Sequence, residues 1–149
     1  MNDKHLHAFM RTAHTFAELS HARKLKVGAI AVKDGRIISI GYNGMPAGWP
    51  NDCEHVIGHE PDGTPILKTN PEVLHAEMNC LMKLAKSTES GLGATMFITH
   101  SPCMECAKGI HQAGIGEVYY ANDYKSDAGR RFLDICGVPV RKLMTCDNP

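Results

Sequence analysis

The chain has 149 residues, 43% of them hydrophobic and 21% charged, which fits one soluble globular domain and excludes a disordered or fibrous chain. Lys plus Arg and Asp plus Glu are both 16, so the formal net charge is zero, and the basic face that a polynucleotide-binding protein needs is not expected. The N-terminal residues show no charged-then-apolar leader, and no apolar run approaches the length of a membrane span; a cytoplasmic protein acting on a small molecule is the expectation.

Apolar residues at helical spacing (Leu6, Phe9, Met10, Ala13, Phe16, Ala17, Leu19) predict a helix over residues 4–22. Residues 27–32 and 37–42 read as two strands joined by the turn signal Asp34-Gly35, hence an antiparallel hairpin. Residues 43–72 are rich in Gly and Pro and predict a long insertion loop inside one domain spanning 1–149. Helical patterning returns over 75–86, followed by a strand at 94–99 and a helix at 102–112 with Pro in its first turn. A strand at 117–121, a helix at 127–136 capped by Gly137 and a last strand at 138–141 complete the chain. The alternation in the second half implies parallel pairing. The expected fold is α/β: a mixed sheet of about five strands with helices on both faces.

The six cysteines should remain reduced thiols in a chain without a secretion signal, which favours metal chemistry over a disulfide framework. Two segments concentrate that chemistry, His75-Ala76-Glu77 and Pro102-Cys103-Met104-Glu105-Cys106, with about 25 residues between them. Together they match the H-x-E…P-C-x-x-C pattern of zinc deaminases. A Cys-x-x-Cys pair alone fits a redox pair or half of a structural zinc site equally well; the conjunction with His75 decides. Helix N-termini favour the thiolate forms of Cys103 and Cys106. With His75 they make three Zn2+ ligands, leaving a fourth position for water, as catalytic sites do. Bound zinc lowers the pKa of water from about 15.7 to about 7. Glu77, two residues from His75, is placed to act as general acid and base without ligating.

Three stretches extend the pattern: Lys26-Val27-Gly28-Ala29 with the run 38–48 (Ile-Ser-Ile-Gly-Tyr-Asn-Gly-Met-Pro-Ala-Gly), His75 to Cys80, and Ser101 to Lys108 followed by 112–115. On these residues the chain resembles the deoxycytidylate (dCMP) deaminases of the cytidine-deaminase superfamily. The resemblance implies the deaminase fold and conversion of dCMP to dUMP and ammonia, which supplies dUMP for dTMP synthesis. It also implies activation by dCTP and inhibition by dTTP, with Mg2+ on the triphosphate, and a homohexamer. By the same resemblance Val27, Asn43, Ala76, Ser101 and Tyr124 contact the substrate, and Tyr42, Asn43, Gly44 and Met45 contribute to the allosteric nucleotide site. A phosphate needs cations. Arg23, near Lys24 and Lys26, is the candidate, against the reading of a solvated basic loop end. Cys53, His55 and His59, with His21, are ligand types for a second zinc or spare residues of a surface loop. Cys80, Cys136 and the methionines, Met78 and Met82 among them, read as core filling, and Cys146 falls in a C-terminal tail. The rival readings are another deaminase of the same fold, and a non-catalytic, zinc-stabilised subunit that binds deoxynucleotides.

Overall fold

The computed structural model describes residues 1–144, so Cys146 lies outside the described residues. Helix α1 spans Asp3–Ala17 and is followed by strands β1 (Gly28–Lys33), β2 (Arg36–Tyr42), β3 (Glu54–His59) and β4 (Pro65–Thr69). Then come α2 (Ala76–Ala85), β5 (Thr95–His100), α3 (Met104–Gln112), β6 (Glu117–Asn122), α4 (Ala128–Ile135) and β7 (Val140–Lys142). A five-stranded sheet runs in the order β2-β1-β5-β6-β7, with β1 antiparallel to β2 and β5, and β5, β6 and β7 parallel. This is the expected mixed α/β sheet.

Both faces are covered, which is why the central strands read as continuous apolar runs. On one face α1 lays Leu6, Met10 and Ala13 against Ile30, Val32 and Phe97. Phe97 also packs between Phe9 and Tyr119, at ring-centroid distances of 5.5 and 5.3 Å. On the other face α2, α3 and α4 bring Ala76, Cys80, Leu81, Leu84, Ala107, Ile110 and Leu133 onto Ala29, Ala31, Met96, Ile98 and Val118. Each large side chain fully buried in these layers contributes about 1.5–3 kcal/mol.

Two glycines set the helix-to-sheet distance. A Cβ on Gly28 would fall 2.0 Å from the Ala13 carbonyl oxygen, and one on Gly41 would fall 2.3 Å from that of Ala76. The first turn of α2 therefore rests directly on the β2 backbone. Asn79 Nδ2 reinforces the contact by donating to the Tyr42 carbonyl at 2.8 Å. The β1–β2 turn places Asp34 and Gly35 at φ of 53° and 73°, the two left-handed residues that a tight hairpin turn requires.

Four expectations change. Helix α1 stops at Ala17 instead of continuing to 22. Ser20 leaves the helix axis because its hydroxyl donates to the Asn43 carbonyl at 2.7 Å and accepts from the Ala22 N–H, and Leu19 is left 53% exposed. The 43–72 segment is not all loop: β3 and β4 form an antiparallel hairpin whose turn is closed by Glu60 N donating to the Thr64 carbonyl at 2.7 Å. Its apolar Val56, Ile57 and Ile66 are exposed, so no buried face imposed a readable alternation. Pro102 precedes the N-cap of α3 instead of occupying its first turn. Met82 is 51% exposed and fills no core, whereas Cys80 is fully buried and Cys136 half-buried against the core. No helix among the described residues is long and apolar enough to cross a membrane.

Candidate active site

The two short motifs arrive at the same place from different helices. His75 is the N-cap of α2, in extended conformation with φ −72° and ψ 152°, and its side chain makes no capping bond. The imidazole is thus free to turn away from its own helix. Cys103 is the N-cap of α3, and its sulfur accepts from the Cys106 N–H at 3.5 Å. That local bond holds the Cys-x-x-Cys turn and favours the thiolate. Helix α4 braces the turn from behind, since a Cβ on Gly129 would lie 2.1 Å from the Pro102 carbonyl oxygen.

His75 Nδ1 sits 3.5 Å from Cys103 Sγ and 3.4 Å from Cys106 Sγ. A tetrahedral zinc with bonds of about 2.3 Å to sulfur and about 2.0–2.1 Å to nitrogen requires sulfur and nitrogen to be about 3.5 Å apart. The donor atoms are therefore already spaced for that ion. Among the described residues, His75, Cys103 and Cys106 are the one group of three such side chains close enough to share a metal.

The electrostatics agree with the geometry. Hydrogen bonds from Cys106 and His75 push the Cys103 thiol down to about 4. The Cys106 thiol is raised, chiefly because its hydrogen is held by Cys103 and secondarily by burial. The His75 imidazole is raised by its hydrogen bond with Cys103, against burial. Three donors thus share protons around one developing negative charge, and those are the protons that a divalent cation displaces. Glu77, 4% exposed in the first turn of α2, is pushed up to about 7 by burial. It stays outside the three-ligand group. Three ligands and a buried carboxyl nearby are the makings of a catalytic metal centre, whereas a structural one closes with a fourth Cys or His.

His75, Glu77 and Cys103 line a cavity of about 480 Å3. This is a volume suited to a small molecule. Val27, Asn43, Ala76, Ser101 and Tyr124 line the same cavity. Asn43 is already engaged, with Oδ1 accepting from the Val27 N–H at 2.9 Å and Nδ2 donating to the Leu25 carbonyl at 2.8 Å. The Ser101 hydroxyl accepts from the Tyr124 N–H at 2.9 Å and so fixes the start of the 124–125 segment.

Arg23 does not line the cavity: its side chain is 54% exposed and its Nε lies 3.7 Å from Glu54. The lysines that do line it are Lys24 and Lys125. Tyr42, Gly44 and Met45 stand outside it, Gly44 being bridged to Leu74. The residues considered for a second zinc are not gathered. His55 Nδ1 is hydrogen-bonded to Asn70 Oδ1 at 2.6 Å, and Cys53 is buried and donates to the Asn51 carbonyl. Neither they nor His21 and His59 join a three-ligand group among the described residues.

Sequence reasoning considered Cys53 only as a second-zinc ligand, and it missed Glu54 and Thr69 of the insertion, Val73 just beyond it, and His100, Asn122, Asp123 and Lys125 at the ends of β5 and β6. The last four follow parallel strands at their carboxyl ends, where α/β sheets place ligands, and that rule could have found them.

Residues 3–122 match the family described as the cytidine and deoxycytidylate deaminase zinc-binding region. Human deoxycytidylate deaminase is 37% identical over 143 residues, covering 91% of this chain and 78% of that protein. ComE operon protein 2 of Bacillus subtilis (strain 168) is 36% identical over 137 residues, covering 91% of this chain and 69% of that protein. The crystal structure of the dCMP deaminase from cyanophage S-TIM5 in complex with dCMP and dUMP is 45% identical and superposes with a TM-score of 0.85, covering 96% of this chain and 99% of that one. With its paired His75-x-Glu77 and Cys103-x-x-Cys106 segments converging inside the matched region, the chain belongs to the cytidine and deoxycytidylate deaminase family.

Proposed function

We propose that this protein is a dCMP deaminase that hydrolyses dCMP to dUMP and ammonia, with His75, Cys103 and Cys106 holding its zinc. The observation that carries the reading is the buried Glu77 carboxyl beside a preassembled three-donor cluster in a nucleotide-sized cavity. The solved S-TIM5 relative, with dCMP and dUMP bound, supports the choice of substrate.

When bound, the metal supplies a Lewis acid that makes water a nucleophile near neutral pH. The chain's own residues do the rest. Glu77, buried in the first turn of α2 two residues from His75, is placed to accept a proton and pass it on. It takes the proton of the attacking water on a carboxyl oxygen and delivers it to the pyrimidine ring nitrogen. It then takes the second proton from the hydroxyl now on the ring carbon and passes it to the departing amine, so that the carbonyl forms as ammonia leaves instead of an amide anion. Val27 and Ala76 give the cavity apolar surface for the ring, and Ser101 borders it, its carbonyl being assigned to the exocyclic amine by the resemblance. Lys24 and Lys125 are the cavity cations for the phosphate. Arg23 keeps a supporting part at the loop it shares with Lys24.

The finer reading rests on the resemblance. The enzyme feeds dUMP to dTMP synthesis in the cytoplasm as a homohexamer of single-domain chains. It is switched on by dCTP and off by dTTP, each with Mg2+, through Tyr42, Asn43, Gly44 and Met45. One assay tests the whole: turnover of dCMP, deoxycytidine and a tRNA anticodon stem by the zinc-loaded protein, repeated with dCTP, dTTP and Mg2+. Preference for dCMP is expected. Turnover of the tRNA stem in place of dCMP would select another deaminase of the same fold, and nucleotide binding with no turnover would select a non-catalytic subunit.

A further inference from the structure

Glu54 opens β3 with a side chain only 2% exposed, and neither the metal centre nor the proton transfers use it. Its carboxylate accepts from two successive main-chain donors, the Arg23 N–H at 2.9 Å and the Lys24 N–H at 2.9 Å, with the Arg23 guanidinium Nε 3.7 Å away. Hydrogen bonds to an ionised acceptor are roughly twice as strong as neutral ones. The same segment is held further along by Asn43, which binds the main chain of Leu25 and Val27. The stretch between α1 and β1 is therefore clamped from two sides, by the end of β2 and by the insertion hairpin. Ala22, Lys24, Leu25 and Val27 of that stretch all line the cavity, as does Glu54 itself. A solvated basic loop has no need of a buried carboxylate on its peptide groups.

We propose that Glu54 is a positioning residue for phosphate recognition: by gripping the Arg23 and Lys24 amides it fixes the Lys24 side chain at the cavity, and so couples the β3–β4 insertion to the choice of a nucleotide over a nucleoside. The assignment rests on the dCMP reading. Glu54 touches no reacting atom and acts through Lys24.

The test compares kcat and KM of the zinc-loaded parent, Glu54→Gln, Lys24→Gln and the double variant on dCMP and on deoxycytidine. Loss of one charge-assisted contact corresponds to a KM for dCMP raised about tenfold or more in each single variant. The kcat on dCMP and both constants on deoxycytidine are expected within about threefold of the parent. The double variant is expected to be no worse than either single one, because both remove the same contact. An unchanged KM in Glu54→Gln, a loss shared equally by both substrates, or additive effects would each overturn the proposal. A Glu54→Gln protein that no longer folds or retains zinc would assign the residue to the scaffold and also overturn it. Lys24→Gln, on an exposed side chain, tests the phosphate contact independently, since an unchanged KM for dCMP there refutes that contact and the positioning role with it. A parent that treats dCMP and deoxycytidine alike would remove the dCMP reading and this assignment together. A parent that prefers dCMP, with Glu54→Gln unaltered, would remove this assignment alone.

Discussion

Replacing Glu77 by Gln should move activity and stability in opposite directions. Burial lifts this carboxyl from an ordinary 4.5 to about 7, so holding it ionised in the folded chain costs about 3 kcal/mol. Because the folded value is the higher one, the folded state binds more protons than the unfolded state between about pH 4.5 and pH 7. The stability that the neutral acid allows is complete below that window and is lost as pH rises through it. A Gln of nearly the same shape removes the penalty. Metal-stripped Glu77→Gln should therefore be more stable than the metal-stripped parent by about 3 kcal/mol near pH 8, with the gain fading toward pH 5. Turnover should fall by about 10⁴-fold, about 5 kcal/mol of barrier, the upper end for general acid–base catalysis, since one carboxyl relays two protons in succession. Zinc content, read by elemental mass spectrometry, should equal the parent's. Urea melts at several pH values and dCMP turnover check the two halves. A variant that keeps more than about a tenth of parental turnover would refute the proton-shuttle role. A metal-stripped variant less stable than the parent near pH 8 would refute the burial argument on which it stands.

Removing one sulfur ligand by Cys106→Ala should abolish zinc retention and turnover together, and elemental analysis beside the activity assay checks the pairing. Gly41→Ala would place a Cβ 2.3 Å from the Ala76 carbonyl oxygen and 2.5 Å from the Cys80 N–H nitrogen, forcing α2 off the sheet. It should cost about 1–3 kcal/mol in urea denaturation and weaken zinc binding in competition with a chelator, because His75 and Glu77 ride on that helix. His14 has a buried Nε2 without a partner, and burial lowers its imidazole below 6.5. The unfolded chain therefore takes up that proton first, and stability falls as pH drops below about 6.5. His14→Leu should flatten the fall between about pH 7.5 and pH 5, and an unchanged slope in urea melts would count against the assignment.

The fold was legible wherever a buried face imposed a period. The apolar run of β1, with Ala29 and Ala31 toward one layer and Ile30 and Val32 toward the other, could be read as a strand covered on both sides. The Asp34-Gly35 turn and the Gly137 cap could be read because their backbone conformations admit few residues. The β3–β4 hairpin escaped because its Val56, Ile57 and Ile66 are exposed and its strands pair only with each other. The end of α1 escaped for a different reason. Its apolar spacing runs on through Leu19, and what stops it is a hydrogen bond from Ser20 to Asn43, 23 positions away, which no local pattern announces.

The site divides along the same physical line. Zinc ligation is a local contract: a Cys-x-x-Cys turn fixes two sulfurs through one main-chain bond, and His75 needs only an extended N-cap to be freed from its helix. Such rules are written in short segments, which is why the three donors that the structure brings together could be picked out there. The substrate pocket is a long-range product. Lys24, His100 and Lys125 meet because the sheet order sets β1 beside β5 and β5 beside β6, and Glu54 and Thr69, cross-strand partners in the separate β3–β4 hairpin, join them through the bonds of Glu54 to the Arg23 and Lys24 amides. Arg23 and Lys24 differ by one position, yet one turns to Glu54 and the other to the cavity. Adjacent residues of an irregular loop face different ways, and composition cannot tell which. The carboxylate that settles it lies 31 positions beyond Arg23, on a hairpin with no core of its own. A hairpin with so little apolar burial gains little by itself, so its main structural return is the loop it holds.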